Sequence, residues 1–457
     1  MNRAVTGVAT HGESRGERVL VAGAGLGGAL MAIYLARAGY RVEIFERRGD
    51  PRRADAGRGR SINLAISTRG LAALRGVGLE ERILEMAVPM RGRLIHSVDQ
   101  ETTFQPYGTE ANHAINSVSR LGLNIALIDE AEREAGVTLH FESRCVDADL
   151  DAPALEVEDE RTGERRRIEG DHVVGADGAF SAVRSRMQRL DRFDYSQSYL
   201  QHGYRELTIP AAPDGGFQLL HDALHIWPRG GHMMIALPNA DGSFTCTLFW
   251  PFSGPHSFES LRTEQDVRTC FETLFPDAVP LMPTVAEDYL ESPTGSLVTV
   301  RCRPWHYRDR VVLVGDACHA VVPFYGQGAN AAFEDCLVLD ECLRQRAFDW
   351  GAALEDYTRR RKDDVDVLAD LAIANFVEMR DHVASRVFLM KKRSEKALHR
   401  LFPRAFVPLY SMVTFSRVPY GDAVARAERQ WAVVRRVGTT AAVLLLALLV
   451  FAVWAFV

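Results

Sequence analysis

The sequence predicts an α/β protein: a Rossmann-like dinucleotide-binding domain interleaved with an antiparallel-sheet domain, then C-terminal helices and a C-terminal transmembrane helix. Three observations predict it. Near the N-terminus, between Val19 and Ala38, a glycine loop separates an apolar run from a helical pattern. Between Val311 and Asp335, a second apolar run ends in Gly315-Asp316 and leads through another glycine-punctuated loop into a helix. Residues 437–457 carry no charge at all.

The first motif reads VLVAGAGLGG over 19–28. A helical pattern follows to Ala38, Gly39 is a helix stop, and RVEIFE over 41–46 is a second strand. That is the βαβ context a dinucleotide fingerprint requires. Gly23 permits the tight turn, Gly25 lets backbone approach a diphosphate, and Gly28 allows close helix–strand packing. The helix N-terminus adds amide donors and partial positive charge. Glu46 closes the second strand, where it can accept from a ribose 2′-hydroxyl. An acid there favours an unphosphorylated ribose, as in FAD or NAD.

The second motif, VVGADGAFSAVR over 173–184, is another strand ending in Asp-Gly. Two roles are open to Asp177: shaping the dinucleotide cleft, or capping the helix that follows. The third motif is VVLVGDACHAVVPFYGQGANAAFED. At a strand's carboxyl end, Asp316 can accept from a ribityl hydroxyl; the alternative is a plain turn aspartate. The helix starting near Gly328-Ala329-Asn330 can point amides at a flavin pyrimidine, where negative charge builds on reduction. Together the motifs suggest a flavin laid across the fold and held at both ends.

Composition fits a globular protein with a large core: 457 residues, 47% apolar and 25% charged. The net charge of −6 leaves no basic footprint for nucleic acid. The seven cysteines form no CxxC pair, which points to a reducing compartment. No metal-ligand cluster stands out. The first eighteen residues lack the apolar core of a secretory signal.

Strand-like runs separated by prolines dominate 199–300, as in an antiparallel sheet. EDERTGERRRIE over 158–169 reads as a charged hairpin. From Trp350 onward the pattern is helical, and RRRKDD over 359–364 reads as a solvated helix face. Segment 437–457 would span roughly 30 Å at about 1.5 Å per residue, the thickness of a hydrocarbon core. Arg435 and Arg436 precede it, so the body is expected on the cytoplasmic side of a tail anchor. The preceding stretch, 423–436, is mildly amphipathic and could lie along the surface. A buried C-terminal helix is the alternative for 437–457.

The three motifs, in this order, resemble the single-component aromatic hydroxylases related to para-hydroxybenzoate hydroxylase. The resemblance narrows through GRSINLA at 59–65, PMRGR at 89–93 with IHS at 95–97, PYG at 106–108, FDYSQ at 193–197 and HGY at 202–204. It continues through PFYGQG at 323–328, EMR at 378–380 and PLYSMVTFSR at 408–417. Over about residues 17–436 these are similar to the kynurenine 3-monooxygenase family.

The resemblance implies FAD as cofactor and NADPH and O₂ as co-substrates, with L-kynurenine hydroxylated to 3-hydroxy-L-kynurenine in tryptophan catabolism. Oxygen transfer from a flavin C4a-hydroperoxide would need no catalytic side chain. Arg93 is expected to bind the substrate carboxylate, with Tyr107, Asn375 and Tyr410 as further polar contacts. Arg91 is expected to face elsewhere, on the ground that a strand alternates sides. Pro323, Phe324, Tyr325, Gly326, Gln327 and Gly328 would form the wall between flavin and substrate. For the flavin the match carries over Gly27, Phe45, Glu46, Arg47, Arg48, Ala65, Arg120, Cys145, Asp177, Asp316, Ala329 and Asn330. No second glycine fingerprint marks a separate NADPH domain.

The expected division is 17–62 with 112–188 and 298–350 for FAD, 63–111 with 189–297 for the substrate sheet, 351–436 as closing helices and 437–457 as the anchor. The anchor would lie in the inner membrane of a bacterium, which the Ala- and Arg-rich composition favours, or the mitochondrial outer membrane of a eukaryote. Two alternatives stay open: an FAD hydroxylase of another aromatic acid, and a non-catalytic flavin-binding membrane adaptor.

Overall fold

Val19 to Ala22 are all fully buried, as expected of a strand covered on both faces. In the computed structural model, which describes residues 14–53, 63–108, 113–382 and 386–455, this strand is central to a six-stranded sheet. Across the sheet the order is His306–Tyr307, Val311–Leu313, His172–Gly175, Arg18–Ala22, Arg41–Phe45, Val137–His140. All pairs are parallel except the first. The three sequence motifs therefore leave the sheet from adjacent strands, at their carboxyl ends. In an open α/β sheet that is where ligands bind.

The second large sheet has seven strands, ordered Gly295–Arg303, Asp194–Ile209, Phe244–Pro251, Met233–Pro238, Ala223–Pro228, Gly92–His96, Thr102–Pro106. It is antiparallel except for one pair: Ala223–Pro228 runs parallel to Gly92–His96. Those two strands come from separate excursions of the chain, so no hairpin dictates their direction. Three prolines, Pro228, Pro238 and Pro251, close strands, where their missing N–H is tolerated. Alternation decides what each face does. Met234, Ala236, Leu248 and Trp250 pack with Phe271 and Tyr289 in one apolar cluster. Ile235, Leu237 and Phe249 point to the opposite face and line the cleft.

The charged hairpin is present. Ala154–Asp159 and Arg165–Glu169 pair antiparallel, and Arg165 donates to Glu158 at 2.7 Å. A long helix, Trp350–Val377, runs into a π-helical turn, Glu378–His382. Helices Arg386–Leu401, Leu409–Phe415 and Tyr420–Ala455 follow.

Three expectations need correction. The 359–364 run is a solvated face only in part: Arg359, Arg360 and Asp363 are exposed, but Arg361 and Lys362 are buried. Arg361 meets Glu334 at 2.8 Å and Asp335 at 2.7 Å, partners that lie elsewhere in the sequence. The tail is not set off from the segment before it: 423–436 and 437–455 belong to one continuous helix, Tyr420–Ala455. Among the described residues, no helix is long and apolar enough to cross a membrane. Part of the expected span, 456–457, lies outside the described residues, as do residues 59–62 of the GRSINLA motif. Finally, the reason offered for Arg91 fails. Residues two apart on a strand face the same side. Arg91 diverges from Arg93 because it sits at the break between Val88–Met90 and Gly92–His96, beside His113 and Phe415.

Candidate active site

The first motif folds as a strand–loop–helix, and its glycines have different reasons. Gly23 holds φ +98°, and a Cβ there would lie 2.6 Å from the Ala176 carbonyl oxygen. At Gly28 a Cβ would lie 1.9 Å from the Gly23 carbonyl oxygen. Gly25 is different: a Cβ would meet nothing within 4 Å, and the residue lines the cleft. No protein atom requires that glycine, so the space it leaves open suits a ligand lying on the backbone at the helix N-terminus. Gly27 also lines the cleft.

Glu46 reaches this loop. Its carboxylate accepts from the Ala24 amide at 2.9 Å and the Arg48 amide at 3.0 Å. Phe45 contributes differently from the expectation. Its ring is buried and stacked on His140, 4.7 Å between centroids, while its carbonyl accepts from the Gly23 amide at 2.8 Å. Arg47 and Arg48 are exposed beyond the strand. The half-buried Cys145 thiol lies 3.6 Å from the Asp147 carbonyl. Burial, with Asp177 and Asp147 adding, pushes this thiol well up, so it is inert.

Both roles open to Asp177 have support. One carboxylate oxygen accepts from the Ala182 amide at 2.7 Å, bracing the helix start. The other is buried without a partner, and the flanking Ala176 and Gly178 line the cleft. Burial pushes this carboxyl up, against those amide bonds. Opposite it, Gly315 at φ +63° turns the chain so that Asp316 faces the cleft. Asp316 is itself exposed to the cleft; the protein crowded around it raises its carboxyl, while His319 and Arg120 pull it down. Arg120, at the start of helix Arg120–Arg133, lines the same cleft.

The loop after Asp316 is held by side-chain bonds. Pro323, Phe324, Tyr325, Gly326 and Gly328 line the cleft. Gln327 is behind the wall and donates to the Ser67 hydroxyl at 3.2 Å. Ala329 lines the cleft at the first turn of Gly328–Gln345, whose leading amides have no intrahelical acceptor. The Asn330 side chain does not face a ligand. It donates to the carbonyls of Ala65 and Gly326, both at 2.8 Å, and accepts from the Ser67 amide at 2.8 Å. It thereby staples the loop to the strand carrying Ala65, which itself lines the cleft.

At the far end lies Arg93, with its Nε buried and unpartnered. Its guanidinium carbon is 4.8 Å from the Tyr410 ring centroid and 5.7 Å from that of Tyr107. Tyr410 stacks between Tyr107 and Tyr325, 5.5 Å from each. Burial pushes the Tyr107 and Tyr325 phenols well up, so both are neutral donors. The cleft is a cavity of about 300 Å³. A larger one, about 960 Å³, lies against the C-terminal helices and shares Tyr325 and Tyr410 with it. The larger space carries few polar groups from the motifs, so the chemistry belongs to the smaller. Asn375 lines the larger cavity, and its amide donates to the Phe324 carbonyl at 2.6 Å. It braces the loop rather than facing the cleft.

Sequence reasoning missed the apolar wall of Leu224, Ile235, Leu237 and Phe249. The run MMIALP over 233–238, apolar at every position as in a strand covered on both faces, was the signal that could have found it. It also missed the tyrosine stack, which no local pattern announces. Among the described residues, Cys318, His319 and Asp335 come close enough together to share a cation. Asp335 is already filled by the Gly315 amide, His319 and the Arg361 guanidinium, which disfavours one.

The residues present fit FAD: an open glycine cradle at one end, an orphaned Asp177 oxygen midway, and Asp316 with free helix amides at the other. Residues 17–371 match the FAD binding domain family. The chain is 51% identical over 408 residues to a kynurenine 3-monooxygenase of Myxococcus xanthus, covering 89% of this chain and 88% of that one. It is 50% identical over 425 residues to that of Salinispora arenicola, covering 93% of each. For Dictyostelium discoideum the identity is 46% over 417 residues, covering 89% of each. Among solved structures, 2-methyl-3-hydroxypyridine-5-carboxylic acid oxygenase superposes with a TM-score of 0.67 at 24% identity, covering 83% of this chain and 97% of that one.

Proposed function

The chain belongs to the kynurenine 3-monooxygenase family of FAD-binding proteins, and from that premise we propose that it converts L-kynurenine to 3-hydroxy-L-kynurenine with NADPH and O₂. One oxygen atom enters the ring and the other leaves as water; NADPH supplies the two electrons. The observation that carries the substrate reading is Arg93: a buried guanidinium with an unpartnered Nε, walled by Tyr107 and Tyr410 at the end of the cleft away from the glycine loop. An amino-acid carboxylate supplies the missing acceptor.

Bound FAD supplies hydride acceptance and oxygen activation. Gly25, Gly27 and the helix amides behind them would hold its diphosphate, and Asp177 and Asp316 its hydroxyls. The remaining tasks fall to the chain. Arg93 and the tyrosines anchor the amino-acid head and so orient the aniline ring. Phe249, Ile235 and Leu237 exclude water, which keeps reducing equivalents from being lost as H₂O₂. The 323–328 loop, pinned by Asn330 and Asn375, separates the two ligands.

The deciding assay is NADPH consumption with and without L-kynurenine, with the product identified by mass. A product heavier by one oxygen atom is expected. Turnover with a phenol or salicylate alone would move the reading to another aromatic acid. A yellow protein inert toward NADPH would make it a non-catalytic flavin binder.

The division into interleaved FAD and substrate regions belongs to the same proposal, as does a membrane anchor at 437–457 with the body on the cytoplasmic side. The anchor rests on the absence of charge in that segment and on the exposure of Val437, Val443, Leu444 and Leu448. Deleting 437–457 is expected to move the enzyme from the membrane pellet to the supernatant with flavin retained. A full-length protein that never pellets with membranes would sink the anchor.

A further inference from the structure

Four charged side chains are buried together between the two ends of the cleft. Arg69 is 1% exposed, Arg361 3%, Glu334 3% and Asp335 0%. Ion pairs this deep are costly to desolvate, and replacing them with apolar groups is often neutral or stabilising. Their geometry, not their contribution to stability, is what distinguishes them.

The chain of contacts is continuous. Arg69, on helix Thr68–Gly76, donates to Glu334 at 2.9 Å and to the Val413 carbonyl at 3.2 Å. A second arm donates to the Val418 carbonyl, and the guanidinium lies 4.0 Å from the centroid of the Tyr420 ring. Val413 belongs to the short helix Leu409–Phe415, which carries Tyr410 one turn earlier. The closing carbonyls of a helix have no intrahelical donor, and a cation is favoured there. Arg69 therefore clamps the far end of the helix that presents Tyr410 to Arg93. On the other side, Arg361 bridges Glu334 at 2.8 Å and Asp335 at 2.7 Å. Asp335 accepts from the Gly315 amide at 3.1 Å and from His319. Gly315 is the turn that aims Asp316 into the cleft.

We infer that Arg69 is a positioning residue for the amino-acid end of the site and Asp335 for the flavin end, and that Glu334 and Arg361 join them into one rigid unit. Neither Arg69 nor Asp335 lines the cleft; each acts through a residue that does. Arg69 sets where Tyr410 stands, and Asp335 sets where Asp316 stands. This rests on the proposed function, which wild-type turnover tests separately. The Asp335 arm is read through FAD affinity and holds or falls whatever the substrate proves to be.

The test uses full-length holoenzyme carrying Arg69→Lys, Arg69→Met, Asp335→Asn and the double variant Arg69→Lys with Asp335→Asn. KM and kcat for L-kynurenine, FAD affinity and the fraction of NADPH lost as H₂O₂ are measured. Arg69→Met is expected to raise KM about ten-fold or more and to increase H₂O₂ release, with FAD affinity within about two-fold of wild type. Arg69→Lys keeps the charge but not the fork and should recover part of the KM. Asp335→Asn should show the reverse split, weakening FAD with a smaller change in KM. The double variant should depart from the product of the single effects, as expected for residues in one network. Equal loss of both affinities in the single variants would overturn the assignment of ends, and strict additivity would overturn the coupling. If the Met variant does not fold, the Lys variant and Tyr420→Leu, which removes the ring over the guanidinium, carry the same readouts. Unchanged KM in both would dismiss Arg69.

Discussion

Arg93→Ala will weaken L-kynurenine binding by about ten- to a few-hundred-fold, because losing a charge-assisted bond costs roughly 1.5–3 kcal/mol when the carboxylate is left unpaired. The site magnifies the loss. Arg93 is buried, its Nε has no protein acceptor, and two tyrosine rings wall it in. Water therefore cannot easily replace the guanidinium in the variant. Arg93→Lys should fall between alanine and wild type, since an ammonium restores charge without fork geometry. Flavin content should not change, because Arg93 is on Gly92–His96 and the glycine loop is on the other sheet. A substrate titration followed in the flavin absorbance measures both at once. Kynurenine affinity equal to wild type in the alanine variant removes Arg93 from the site.

Gly28→Ala will cost the protein its flavin. A Cβ at 28 would stand 1.9 Å from the Gly23 carbonyl oxygen and 3.3 Å from the Ala176 Cβ. The nearest obstacle is backbone, so no side chain can rotate away. Either the loop opens or the helix Leu26–Arg37 shifts, and overpacking of this kind typically costs about 1–3 kcal/mol, occasionally more. Both movements spoil the cradle. Purified Gly28→Ala should be colourless, and less heat-stable than wild-type apoprotein. Gly25→Ala provides the contrast. Its Cβ would meet no protein atom within 4 Å, so apoprotein stability should match wild type while FAD affinity falls. A yellow Gly28→Ala protein, or a Gly25→Ala protein with unchanged FAD affinity, would contradict this assignment of the loop.

Legibility followed the range of the interactions. The glycine loop and the Asp-Gly turn could be read because their geometry is set within a few residues, whereas the 323–328 loop was recognised by resemblance and is held by bonds from distant residues such as Ser67 and Asn375. Arg93 was found only through resemblance, and the structure adds why it is suited: its Nε is buried and unpaired. Asn375 was expected to touch the substrate and Asn330 to serve the flavin at the helix start; the structure adds that both side-chain amides donate to loop carbonyls. No composition or spacing distinguishes those uses. The 359–364 run misled for a similar reason. An unbroken run of charge on a helix suggests water until the buried partners of Arg361, Glu334 and Asp335, are known.

By itself the sequence determined the strand–loop–helix units of the three motifs, the strand runs within 199–300 and the helical pattern from Trp350, because burial periodicity and backbone preference act locally. It also pointed to a flavin held at both ends, by the glycine loop and by the segment around Asp316. Only the tertiary structure decided which side chains meet. Arg69 clamps Val413 across 344 positions of chain, and Asn330 bonds Ala65 across 265. Such contacts come from the packing of helices and sheets distant in sequence against one another, and no local preference encodes them.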